Sequence, residues 1–245
     1  MEITLDIDPR LAPLYRRSFP RLTVVPRREP PALKLADYDC HAPLASLGRW
    51  LRPSFDSFPR HGGYLRPDPS LAEAYRNRLL ANSRGATSIV GISWKSANRE
   101  FGRHKSTELR DWLGMLRAPR LRFVDLQYGD TASERGRVEQ QAGRRLEHLP
   151  DLDLYHDLEG LAAVCAACDL VITVSNVTAH VAGALGRPVW LLVPKANGKL
   201  WYWFSERTDS PWYPSMRIFT QQSLGNWGQV FEEVEKALAA FVESG

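Results

Sequence analysis

The stretch Leu170–Pro194 constrains the fold more than any other part of this chain. Leu170–Val174 is a short, β-branched apolar run, the pattern of a strand buried on both faces. Ser175 and Asn176 interrupt it, and both residue types favour the position that starts a helix. A helix of small residues, Thr178–Leu185, follows; Gly186 is its natural stop, and Pro188 opens a second buried strand at Val189–Val193. In a parallel sheet the polar elbow between strand and helix lies at the carboxyl edge, where open α/β sheets bind their ligands. Backbone N–H groups at the helix start suit an anion such as phosphate. The same pattern also fits an ordinary βαβ unit with no ligand.

The sequence around this segment alternates regularly. Strands are predicted at Ser88–Trp94, Arg122–Gln127, Leu152–Tyr155 and Arg217–Thr220, and helices at Thr107–Leu116, Glu134–Leu146, Glu159–Cys168 and Trp227–Phe241. Alternation of this kind implies an α/β fold, a parallel sheet with helices on both faces. The front of the chain reads differently. Strands at Ile3–Ile7 and Leu22–Val25 flank a short helix that Asp8-Pro9 starts and that runs through Tyr15. An irregular stretch rich in Pro, Gly and aromatics then runs to Asp68, which caps a helix at Pro69–Ala81. Asn82–Ala86 is the best linker, so two units are expected, residues 1–82 and 87–245. The first unit buries too little apolar area to stand alone and must pack on the second or on further chain.

Composition decides a few points. No apolar run reaches the roughly 18 residues of a membrane span, and the acidic, short start is not a signal peptide. Three cysteines are too few for a disulfide framework, so a reducing cytoplasm is the expected location. The net charge of +4 lies wholly in residues 1–80, with 13 Lys/Arg against 9 Asp/Glu; the remainder carries 19 of each. This asymmetry suits an anionic membrane surface or an acidic ligand, and equally a solvated surface. The cations are scattered, with no run that would mark a nucleic-acid partner.

Candidate site residues cluster at the predicted carboxyl edge. His180 falls in the first turn after the elbow, where an imidazole donates either to a ligand phosphate or sugar hydroxyl or to a neighbouring carbonyl. Ser175, Asn176 and Thr178 add hydroxyl and amide groups beside it, and Gly183 allows helix and sheet to approach closely. The loop Trp94–Ser106 carries Lys95, Arg99, Arg103, His104 and Lys105, a density of cations suited to a diphosphate or to plain solvation. Gln127 ends the next strand at the same edge. The loop Pro194–Trp203 carries Trp201 and Trp203 for stacking on a base or sugar or for interdomain packing, and Asp209–Pro214 reads as structural. Cys165 and Cys168 have redox or metal spacing, but they sit in an apolar helical run that favours simple burial. No Gly-x-Gly-x-x-Gly fingerprint, Walker loop or Gly-x-Ser-x-Gly elbow is present.

With those residues in view, Asp157–Pro194 and its core Ser175-Asn176-x-Thr178-x-His180-x-Ala182-Gly183-Ala184-Leu185-Gly186 resemble the sugar-nucleotide half of heptosyltransferase-like glycosyltransferases, family 9. The closest likeness is to the group often fused to tetratricopeptide repeats. Gly91–Trp94, Leu126-Gln127, Asp209–Pro214, Asp8–Leu11 and Arg17–Pro20 fit the same pattern. The resemblance implies the GT-B fold: a complete Rossmann-like C-terminal domain with a terminal helix at 227–241, and a partial N-terminal, acceptor-side α/β domain on which that last helix commonly packs. It implies transfer of a sugar from a nucleoside-diphosphate sugar to a bacterial cell-envelope glycan or glycolipid acceptor, without metal or other cofactor. Peripheral contact with the inner membrane and no nucleic-acid partner go with it. Ser175, Asn176, Thr178, His180 and Gly183 would hold the donor together with Gln127, and Lys105 would face its phosphates. Many members have Asp-Thr where this chain has Ser175-Asn176. The family's glycine-rich N-terminal loop and acidic base would precede Ile3. Asp6, Asp8 and Asp39 are the nearby carboxylates, and none is singled out as the catalytic base. The alternative is a non-catalytic nucleotide-sugar-binding or scaffolding domain.

Overall fold

The computed structural model describes residues 2–81, 85 and 88–244. Apart from Gly85, the predicted linker Asn82–Ala86 lies outside the described residues. The strands are β1 (Thr4–Ile7), β2 (Thr23–Pro26), β3 (Ser88–Ser93), β4 (Leu121–Asp125), β5 (Leu170–Val174), β6 (Val189–Val193) and β7 (Met216–Thr220). The α-helices are α1 (Ala12–Ser18), α2 (Gly48–Leu51), α3 (Pro69–Leu80), α4 (Gly102–Lys105), α5 (Leu113–Leu116), α6 (Ala132–Ala142), α7 (Leu158–Ala167), α8 (Val177–Ala184) and α9 (Gly228–Ser244).

β3–β7 form one parallel sheet in the order β4-β3-β5-β6-β7. The chain runs from β3 outward to β4 and then returns to the other side of β3 as β5. This reversal makes β3 and β5 the topological switch point of the sheet, the place where such folds form a crevice at the strand ends. Alternate residues of each central strand feed opposite cores. Ile89, Val171 and Leu191 face the layer of α7 and α8, while Ile92, Ile172 and Leu192 face that of α5, α6 and α9. β5 is buried at every position, as its unbroken apolar run predicts.

β1 and β2 form a separate two-stranded parallel sheet. The front of the chain is nevertheless fastened to the larger sheet's layers. Leu14, Leu65 and Leu79 belong to the same core cluster as α7 and α8, and α3 lies along α7. Arg76 bonds the Ala167 carbonyl (2.8 Å) and Asp169 (3.0 Å), and Arg17 pairs with Glu159. The backbone N–H groups of Tyr64 and Leu65 both donate to the Ala184 carbonyl, at 2.7 and 3.0 Å, satisfying an orphan acceptor at the end of α8. Gly186 then takes φ +73°, and a Cβ there would overlap the Gly62 carbonyl. Glycine at 186 is thus required twice, by its conformation and by the strand of chain crossing above it.

Three expectations are corrected. Leu152–Tyr155 is not a strand. Its alternation is real, since Leu152 and Leu154 are buried in the core. However, the Asp153 carboxylate accepts from the N–H groups of Tyr155 (2.9 Å) and His156 (3.1 Å) and folds the segment into a turn. What touches the outer edge of β4 is a single parallel bridge between Val124 and Glu147. Thr107–Leu116 is a 3₁₀ turn, Leu109–Trp112, leading into α5 rather than one α-helix. Finally, α9 does not serve to fasten the first unit. Its Val230, Val234 and Leu238 stripe packs into the core beneath β7 and α5.

Candidate functional site

The elbow after β5 is built from the sequence outward. Asn176 has extended backbone and caps α8, its Oδ1 accepting from the N–H groups of Thr178 (3.0 Å) and Ala179 (3.4 Å) and from Thr173 Oγ1 (3.1 Å). Its Nδ2 donates to Ser93 Oγ (2.7 Å) and the Lys95 carbonyl (3.0 Å) across the switch point. Ser93 Oγ in turn donates to Gln127 Oε1 (3.1 Å), which also accepts from the N–H groups of Trp94 (3.0 Å) and Lys95 (2.7 Å). Gln127, Ser93 and Asn176 therefore stitch together the carboxyl ends of β4, β3 and β5. Their polar atoms are engaged internally, so Asn176 and Gln127 build the frame of the strand ends. The cap also occupies two N–H groups of the first turn of α8.

The remaining predicted residues divide sharply. Ser175 is buried, its Oγ accepting from Trp203 Nε1 at 2.9 Å. Thr178 is fully buried and its Oγ1 has no partner among the described residues. His180 sits in an aromatic box: its ring stacks on Trp203 (centroids 5.0 Å apart, 21° between planes), Nδ1 meets Tyr213 Oη at 3.0 Å and Nε2 meets Tyr202 Oη at 3.4 Å. Burial, followed by the nearby Lys105 charge, lowers its pKa to about 4, so the imidazole is neutral at physiological pH. Gly183 serves an approach other than the expected one to the sheet. A Cβ there would lie 2.7 Å from Cγ of Tyr213, so the glycine makes room for the ring that holds His180.

Most of the cations predicted to converge here are spent elsewhere. Lys95 pairs with Glu134, and Arg103 Nε bonds His104 Nε2 at 3.1 Å. Lys195 and Lys199 bond carbonyls of their surroundings. Exposed Arg99 and Lys105, the last residue of α4, are the exceptions. Lys105 is 4% exposed, its ammonium has no hydrogen-bond or ion-pair partner among the described residues, and burial lowers its pKa. A buried cation of this kind is costly unless an anion joins it.

A cavity of about 250 Å³ opens at the same strand ends. Ser96 and Asn98 line it after β3, Tyr128 after β4 and Val177 at the start of α8; Arg10 and Tyr155 close it. Arg10 comes from the first unit, is clamped by Asp8 (2.7 and 3.0 Å), donates to the Tyr155 carbonyl (2.8 Å) and lies over the Tyr155 ring. A larger cavity of about 980 Å³ flanks the outer edge of β4, away from the strand ends. Sequence reasoning missed the roles of Tyr202 and Tyr213 and the lining by Arg10 and Tyr155. Its reading of Asp209–Pro214 as structural omitted what Tyr213 does for His180. The one available signal was aromatic density at 201–213, which does not say where the rings point.

Comparison with known proteins follows this geometry. No protein-family model matches the chain. Protein FlbA of Caulobacter vibrioides is 34% identical over 99% of the chain. The chain spans 42% of the length of FlbA. A glycosyl transferase family 9 structure from Veillonella parvula superimposes with a TM-score of 0.53 at 18% identity, covering 92% of this chain and 65% of that one. The ADP-heptose lipopolysaccharide heptosyltransferase II of E. coli gives 0.51 at 19%, covering 79% and 59%. The chain thus has the α/β fold of GT-B heptosyltransferase structures, with its five-stranded parallel sheet and small two-stranded sheet.

Proposed function

We propose that this chain carries the nucleoside-diphosphate-sugar site of a glycosyltransferase that transfers sugar to a bacterial glycan or glycolipid acceptor without a metal. In this reading residues 87–245 form the donor side and residues 1–82 part of the acceptor side. The observation that carries the reading is Lys105, a buried side chain near His180 whose ammonium has no hydrogen-bond or ion-pair partner among the described residues. A diphosphate would supply the missing charge, and the dipole of α8 would add to the attraction. Thr178 Oγ1, buried without a partner, and Ser175 Oγ would serve as further donors. Neutral His180, its two ring nitrogens engaged by Tyr213 and Tyr202, would shape the site without adding charge. In transfer, the same groups would stabilise the leaving diphosphate as the glycosidic bond breaks.

One observation favours a second reading, donor binding without turnover. Asp8, which bonds the cavity-lining Arg10, has its pKa lowered chiefly by that bond, which makes it a weak base. A melting-temperature panel of ADP-, UDP- and GDP-sugars in chelator tests the donor site. Binding at a hundredfold excess over Kd stabilises by about 2.7 kcal/mol, a shift of roughly 5–10 °C for a chain of this size. Replacing Lys105, Thr178 and His180 together should abolish the shift; an undiminished shift refutes the assignment. Release of sugar or its transfer by the same samples separates the enzyme from the binding domain.

A further inference from the structure

Asp125 is a buried carboxylate to which the proposed donor site gives no part. It ends β4 and is 1% exposed. A buried charge is costly unless it is paired and hydrogen-bonded, so its partners show what it does. Both oxygens are engaged. Oδ1 accepts from the Gln127 N–H at 2.9 Å, and Oδ2 accepts from Thr131 Oγ1 at 2.6 Å. Arg135 Nη1 and His148 Nδ1 each lie 3.7 Å from Oδ2, too far for a hydrogen bond but within electrostatic reach. Neither of those buried nitrogens has a hydrogen-bond partner among the described residues. Burial raises the pKa of Asp125, and these four partners oppose the rise. The backbone N–H of Asp125 is held as well, by the Glu147 carbonyl at 2.8 Å.

The carboxylate therefore ties the end of β4 to the start of α6, through Thr131 and Arg135, and to the chain returning from α6, through His148. What this tie reaches is Gln127. The N–H held by Asp125 Oδ1 fixes the peptide from which the Gln127 side chain leaves. One atom of that side chain, Oε1, accepts from three donors: Ser93 Oγ and the N–H groups of Trp94 and Lys95. An oxygen shared in this way tolerates little displacement before one bond is lost. α6 fastens the same strand end a second time, since Glu134 accepts from Trp94 Nε1 at 2.9 Å and pairs with Lys95. Lys95 opens the loop that leads to Lys105.

We infer that Asp125 is a positioning residue: its carboxylate sets Gln127, and Gln127 sets the ends of β3 and β5 through Ser93, Trp94, Lys95 and the Asn176 cap. Asn176 enters the chain because its Nδ2 donates to the same Ser93 Oγ and to the Lys95 carbonyl. Asparagine at 125 would still offer an acceptor to the Gln127 N–H. It would turn an amide N–H₂ toward Thr131 and leave Arg135 without its counter-charge. The positioning is read from the hydrogen bonds alone; that it serves donor binding rests on the proposed function.

Amide hydrogen exchange of the unliganded full chain, read residue by residue by NMR, tests it. Asp125→Ala should speed exchange at Trp94 and Lys95 about tenfold more than at Leu191, a buried amide of β6 away from the tie. Asp125→Asn, which keeps an acceptor for Gln127, should return most of that protection. Thr131→Val leaves the carboxylate in place and should speed the same two amides by a smaller factor, which keeps the test open if Asp125→Ala does not fold. Exchange at Trp94 and Lys95 that rises only in step with Leu191 overturns the inference, and so does Asp125→Asn behaving as Asp125→Ala. Titration with ADP, UDP and GDP is a separate measurement. Asp125→Ala should bind the nucleotide that wild type binds about tenfold more weakly, whereas a wild type that binds none of them refutes the donor site and leaves the positioning to the exchange result.

Discussion

Lys105 and His180 occupy the same corner of the molecule, and burial lowers the pKa of both; the Lys105 charge lowers that of His180 further. A histidine whose folded pKa lies near 4 while its unfolded value is 6.5 binds its proton only in the unfolded chain between those pH values. Stability is therefore fully present above pH 6.5 and is lost as pH falls toward 4, by roughly 3 kcal/mol at the limit. His180→Gln removes this contribution. Denaturant titrations from pH 7 to 4 should show a flatter acid limb for the variant; parallel limbs would mean that the ring is not held neutral. That His180 and Lys105 fall at one end of the sheet was legible in the sequence from the elbow and the cationic loop. That Lys95 is paired and Lys105 unpaired was not, because pairing of Lys95 with Glu134 depends on a helix 39 positions away.

At the scale of elements, the parallel core was legible because its strands are unbroken apolar runs and its helices begin at recognisable caps. Asp68 accepts from the Leu71 N–H, Asp157 from Gly160 and Asn176 from Thr178, as their sequence positions imply. Leu152–Tyr155 failed by the same logic. Period-two burial is shared by strands and by some turns, and the Asp153 side chain decides between them locally. The clasp between the first unit and α8 was not legible at all, since nothing in Gly62-Gly63 announces that it will lie on Gly186. This clasp is testable. Gly186→Ala places a side chain at φ +73° and into the Gly62 carbonyl, and should cost at least about 2 kcal/mol in urea unfolding. A cost within a few tenths would show that the crossing segment is not seated there.

For the whole molecule, strand order 4-3-5-6-7 puts the switch point between β3 and β5, and the side chains gathered there are drawn from four stretches of chain. Gln127, Ser93 and Asn176 hold the frame; Lys105, Thr178 and His180 are the groups on which the proposed donor site draws; Arg10 lines the cavity at the strand ends. Fold class and edge could be read from local pattern, whereas which polar groups bond one another to hold the frame needed the three-dimensional contacts. The central claim is that Lys105 is buried unpaired in order to meet a diphosphate. Lys105→Met keeps the volume and removes the charge, so calorimetric titration of wild type and variant with ADP, UDP and GDP, alongside their unliganded melting temperatures, tests it directly. The account predicts that wild type binds at least one of these nucleotides, that the variant binds it about ten- to a hundredfold more weakly, and that the unliganded variant melts higher. Equal affinity in the two proteins, or a variant that melts lower and binds as well, would contradict it.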